Sequence, residues 1–84
     1  MTQYYFTFQS LTQAQTALHH IRRRGIEAEL KRAPTALASR GCGYSVSVGE
    51  RVVNAAAATL HGMGVSYRGL FRPAEDGCWE EVIP

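Results

Sequence analysis

The residues best suited to chemistry sit in one short stretch, Ser39-Arg40-Gly41-Cys42-Gly43. Cysteine reacts as its thiolate, and a nearby cation lowers the thiol pKa. Arg40, two residues before Cys42, supplies such a cation. Gly41 and Gly43 remove side chains on both flanks, so another molecule can approach the sulfur closely. The pattern suits a nucleophilic or carrier cysteine. It also suits a small apolar residue in a turn, since unpaired cysteine is among the most buried residue types. The residues alone leave both readings open. The second cysteine, Cys78, lies between Gly77 and Trp79 in an acidic segment, where negative charge raises a thiol pKa. Its expected role is packing in the tail; the alternative is a thiol that resolves an oxidised Cys42.

Other reactive constellations are absent from the sequence. Two cysteines make no disulfide framework. His19 and His20 are neighbours, and adjacent helical residues point about 100° apart, so they do not converge on one metal. With His61 and the two cysteines they show no zinc-ligand spacing. No metal site and no cofactor are therefore expected. There is no catalytic triad, P-loop or dinucleotide fingerprint. A lone cysteine without a base partner argues for a carrier rather than an independent enzyme.

Periodicity supplies the elements that must position the cysteine. Tyr4, Phe6 and Phe8 alternate with Tyr5 and Thr7, the pattern of a half-buried strand. Ser10-Leu11-Thr12-Gln13 has capping-box spacing, with Ser10 as N-cap. Leu11, Ala14, Leu18 and Ile21 then recur at helical spacing, and the spacing predicts a helix over 11–24. Arg22, Arg23 and Arg24 fall in its last turn, where cations suit the helix dipole. Gly25 is placed to end it, with Ile26 packing back on Ile21. A second strand begins at Ile26, and Ala33 to Gly43 reads as a loop. A third strand runs from Tyr44 to Val48. Glu50 to His61 reads as an alanine-rich helix with Val53, Ala56, Ala57 and Leu60 buried, ended by Gly62 or Gly64. A fourth strand covers Val65 to Arg72, and Pro73 stops it.

Composition agrees with this order. Hydrophobic residues at 45% and charged residues at 19% fit a folded globular chain and exclude a disordered one. Eighty-four residues hold one domain with a modest core. No apolar run approaches the roughly 18 residues of a membrane span, so no membrane association is expected. Met1-Thr2-Gln3-Tyr4 has no export signature, which places the chain in the cytoplasm with reduced thiols. All nine basic residues lie at or before Arg72, while Glu75, Asp76, Glu80 and Glu81 follow it. The reading is therefore one domain over 1–73 and an irregular acidic tail over 74–84. The tail is either solvated or folded back on the basic body in competition with an acidic partner.

The order β-α-β-β-α-β implies an α+β, ferredoxin-like sandwich: a four-stranded antiparallel sheet with two helices on one face. In that topology the first two strands run parallel and end at the same edge. The loop over 33–43 then lies near Ser10 and the start of the first helix. Unsatisfied N–H groups and the positive dipole end favour an anion there. The arginines 22–24 lie at the opposite edge.

With those residues placed, the chain resembles the small family described as Se/S carrier protein-like, over about Tyr4 to Arg72. The resemblance rests on Phe8-x-Ser10, Ala14, Gly25, Pro34 and above all Ser39-x-x-Cys42-Gly43. Where the family commonly has a Pro-Arg pair in the loop, this chain reads Thr35-Ala36-Leu37-Ala38. The resemblance implies that Cys42 takes sulfur or selenium from a donor such as a cysteine desulfurase and passes it to an acceptor enzyme. It implies that Ser10, Ser39 and the Gly43 N–H hydrogen-bond the anionic chalcogen, with Arg40 beside it. Two other readings fit the same topology. One is a regulatory domain that forms a homodimer through an open sheet face bearing Tyr5, Thr7, Ser45 and Ser47. The other is an RNA-binding module, for which that face has too few aromatics.

Overall fold

The computed structural model describes residues 2–35, 43–74 and 78–82. Five strands and two α-helices lie among them: β1 (Gln3–Phe8), α1 (Leu11–Arg23), β2 (Ala28–Arg32), β3 (Tyr44–Gly49), α2 (Val53–Gly62), β4 (Gly69–Pro73) and β5 (Trp79–Glu81). A single 3-10 turn, Glu50–Val52, leads into α2. The strands form one antiparallel sheet in the order β2-β3-β1-β4-β5. The expectation of four strands is thus corrected to five. The extra strand comes from the segment expected to be an irregular tail. Val82 N–H donates to the Leu70 carbonyl at 2.7 Å and Ala74 N–H to that of Cys78 at 2.8 Å, closing a β4–β5 hairpin.

Both helices bury their apolar stripes in one core. Ala14, Ala17 and Ile21 of α1 meet Val53, Ala56, Ala57 and Leu60 of α2 over Tyr4, Phe6, Phe8, Val46, Val48 and Leu70. Those strand residues share one sheet face, as the pairings Tyr4↔Val48, Phe6↔Val46 and Phe6↔Leu70 require. Leu11 was expected in the stripe of α1, but it is 41% exposed and Ala17 is buried instead. Ala14, Ala17 and Ile21 follow one helical face, while Leu11 sits in the first turn at the sheet's edge.

Each helix ends by the same device. Gly25 has φ +77° and Gly64 has φ +70°. Gly25 N–H donates to Arg22 and Ile26 N–H to Ile21; Gly64 N–H donates to His61 and Val65 N–H to Leu60. These are Schellman motifs, and Ile26 and Val65 are their apolar closing residues. Both had been expected to open strands. Their N–H groups are instead bound to helix carbonyls, so β2 starts at Ala28 and β4 at Gly69. Arg22 also differs from expectation. It is not simply a solvated helix end, because its Nε and Nη2 donate to the Ala28 carbonyl at 3.3 and 3.0 Å.

The face expected to be open is closed within the monomer. Thr7 is 0% and Ser45 1% exposed, and Ser47 is also buried. Their hydroxyls donate to carbonyls of Gly69, Lys31 and Glu29 on neighbouring strands. Tyr5 stacks edge-on with Trp79 at 5.1 Å, and Trp79 packs on a small cluster of Ala33 and Phe71. A β5 of three residues holds through these contacts and through the Arg72–Glu80 pair at 3.0 Å.

The helix ends give a paired test by urea denaturation. A Cβ at Gly25 or Gly62 meets nothing within 4 Å among the described residues, but only Gly25 has positive φ. Gly25→Ala is expected to cost about 1–2 kcal/mol through backbone strain alone. Gly62→Ala is expected to add up to about 1 kcal/mol, because alanine loses less backbone entropy in a helix.

Candidate functional site

Cys42, Ser39, Arg40 and Gly41 lie outside the described residues. The two remaining candidates, Ser10 and Gly43, are both described, and the sheet brings them to one end of the domain. β1 ends at Phe8, which pairs with Tyr44 at the start of β3, and Tyr44 pairs with Arg32 at the end of β2. Ala33 N–H donates to the Gly43 carbonyl at 3.1 Å, closing the base of the segment between β2 and β3. Gly43, the residue after Cys42 in the chain, therefore stands at the edge where β1 hands over to α1.

Ser10 caps that helix. Its backbone is extended (φ −125°, ψ 152°), and its Oγ accepts from Gln13 N–H at 3.2 Å. A serine hydroxyl that accepts still has its own proton to donate. The first N–H groups of α1 have no partner inside the helix, and no acidic side chain stands in its first turn. This end of α1 is thus electrostatically prepared for an anion.

Gly43 is half-buried and has no positive φ. A Cβ there would meet nothing within 4 Å among the described residues. Neither backbone conformation nor crowding by those residues demands glycine, which is what a position kept bare for access would show.

The other sequence candidates lie elsewhere. His19 and His20 stand near the far end of α1, with ring centroids 5.7 Å apart. Among the described residues no group of three or more His, Cys, Asp or Glu could hold a metal ion. Cys78 is exposed at the β4–β5 turn, at the end of β4 remote from Gly43. The described part of the acidic segment pairs with β4 as β5. Glu80, ahead of the Tyr4 hydroxyl, raises the pKa of Arg72 through a hydrogen bond and their opposite charges. An open concavity of about 880 Å³ also lies at the remote end, among Arg22, Glu27, Glu29, Ser47, Glu50 and Arg51. Its mixture of carboxylates and guanidinium groups defines no single ligand charge. No described helix is long and apolar enough to cross a membrane.

A family model described as "Putative Se/S carrier protein-like" matches residues 3–72. That span runs from β1 to within β4 and contains both Ser10 and the Ser39–Gly43 stretch. No curated protein and no solved structure gives a significant match.

Two substitutions separate capping from access. Ser10→Ala is expected to cost about 1 kcal/mol by chemical denaturation, and Ser10→Gly only a few tenths. In a Cys78→Ser background, Gly43→Ala is expected to leave stability within about 0.5 kcal/mol, the usual range for a substitution clear of packing and strain. It should nevertheless slow the reaction of Cys42 with a bulky aromatic disulfide.

Proposed function

The chain belongs to the Se/S carrier protein-like family, and on that premise we propose that it is a carrier of sulfur or selenium whose working thiol is Cys42. The observation that carries this reading is the junction at one end of the sheet, where Gly43 leads into β3 opposite the end of β1 from which α1 starts. The family match supplies the cargo, and the junction supplies a physical reason for the cysteine before Gly43 to ionise. The interleaved order β2-β3-β1-β4 supports the ferredoxin-like description of the body.

The transfer is a thiol exchange. The Cys42 thiolate attacks the terminal sulfur of a donor persulfide, R–S–SH. A new S–S bond forms on Cys42, the donor S–S bond breaks, and R–S⁻ leaves with the electron pair. Cys42 then holds –S–SH, or –S–SeH from a selenium-loaded donor, with no net oxidation. An acceptor thiolate repeats the same step on the carried atom. The residues need to bind an anion and keep it accessible. First-turn N–H groups of α1, the Ser10 hydroxyl, Ser39, the Gly43 N–H and the Arg40 cation are the groups assigned to that task. A cysteine desulfurase, or another protein that carries a persulfide or selenenyl sulfide, is the donor class that suits this chemistry, and the cytosol is the compartment in which both thiols stay reduced.

Incubation with a cysteine desulfurase and cysteine tests the proposal by intact-protein mass spectrometry. One added sulfur atom is expected on the wild type, located on Cys42 by peptide mapping, and none on Cys42→Ser. A wild type left unmodified both by the desulfurase and by glutathione persulfide, or equal modification of Cys42→Ser, contradicts it.

A further inference from the structure

Two large apolar side chains stand out as exposed among the described residues, Leu11 at 41% and Met63 at 54%. The topology puts them at the same end. Leu11 opens α1 just after β1 ends, and Met63 caps α2 just before the chain returns to β1. That return is pinned by Arg68 N–H, which donates to the Thr7 carbonyl at 2.8 Å. It is also the end that holds both Gly43 and Ser10.

Apart from Glu81, the described residues charged at neutral pH at this end are basic. Arg32 closes β2, Arg68 precedes β4 and His61 stands in the last turn of α2, all exposed. The carboxylate of Glu81 reaches toward Gly69 but belongs to the other sheet face, since Glu81 pairs with Phe71 and Phe71 with Tyr5. The described carboxylates of Glu27, Glu29 and Glu50 lie toward the remote end, beside the start of β2 and the end of β3. Exposed apolar side chains at the same end as basic ones are the material of a protein-docking surface.

We propose that Leu11 and Met63, rimmed by Arg32, His61 and Arg68, form the surface on which the sulfur-donating protein docks, and that the donor presents an acidic rim around its persulfide. This rests on the carrier reading and names the partner's chemistry. Opposite charge steers the encounter and orients it. The apolar pair excludes water from the contact.

The test follows sulfur transfer from a cysteine desulfurase to the full chain while donor concentration is varied. Leu11→Ser/Met63→Ser and Arg32→Glu/Arg68→Glu are each expected to raise the half-saturating donor concentration about tenfold or more, a change of about 1.4 kcal/mol. The limiting rate should hold within about twofold. Arg23→Glu, which makes half the charge change of the arginine pair at the remote end, should leave both values unchanged. Should the apolar double variant fail to fold, the arginine pair decides alone. Unchanged half-saturation in the variants overturns the surface and leaves the carrier reading standing. So does an Arg23→Glu effect equal to that of the arginine pair, or transfer to the wild type from glutathione persulfide but not from the desulfurase. No sulfur on wild-type Cys42 from either donor overturns the carrier reading, and this surface with it.

Discussion

The register between β1 and β3 is the constraint on which the rest depends. Phe8 opposite Tyr44 and Phe6 opposite Val46 put the fully buried phenylalanines on the helix-covered face. A slip by one residue would turn Thr7, with its short hydroxyl, toward the core and expose both rings. The same register sets Gly43 beside the β1–α1 junction. Packing of the core and placement of the candidate site are thus decided by one set of pairings. β1 lies between β3 and β4, so both neighbours hold it in place.

Sequence patterns located the helices and β1 because each carries a local signal. Ser10 caps α1 as its spacing requires, and the glycines end both helices through backbone bonds that any sequence with glycine there can make. The strands following those glycines were harder. Ile26 and Val65 continue an alternating pattern, yet the Schellman motif takes their N–H groups, so the strands start two and four residues later. Alternation records which side chains are apolar; it does not record where the backbone donors go.

Two other features depended on contacts distant in sequence. Trp79-Glu80-Glu81 is too short to show a period, and becomes a strand because β4 lies beside it, Tyr5 meets Trp79 and Arg72 meets Glu80. Thr7, Ser45 and Ser47 read as an exposed polar face because serine and threonine are usually exposed. Here their hydroxyls bond to carbonyls on adjacent strands, which lets a polar face be buried without orphaned groups. Three of the four residues read as an exposed face, Thr7, Ser45 and Ser47, are thus buried. At the candidate site, Ser10 and Gly43 were legible from topology and their geometry agrees with that placement. Ser39, Arg40, Gly41 and Cys42 rest on sequence and on the family match.

The central claim is that the end of α1 beside Gly43 makes Cys42 a thiolate near neutral pH. The most direct measurement is the rate of Cys42 alkylation by iodoacetamide against pH, in a Cys78→Ser background. The midpoint is expected to fall clearly below the value for a free thiol, about 8.5. A midpoint at or above that value would contradict it, and would make Cys42 a small packing residue in a turn.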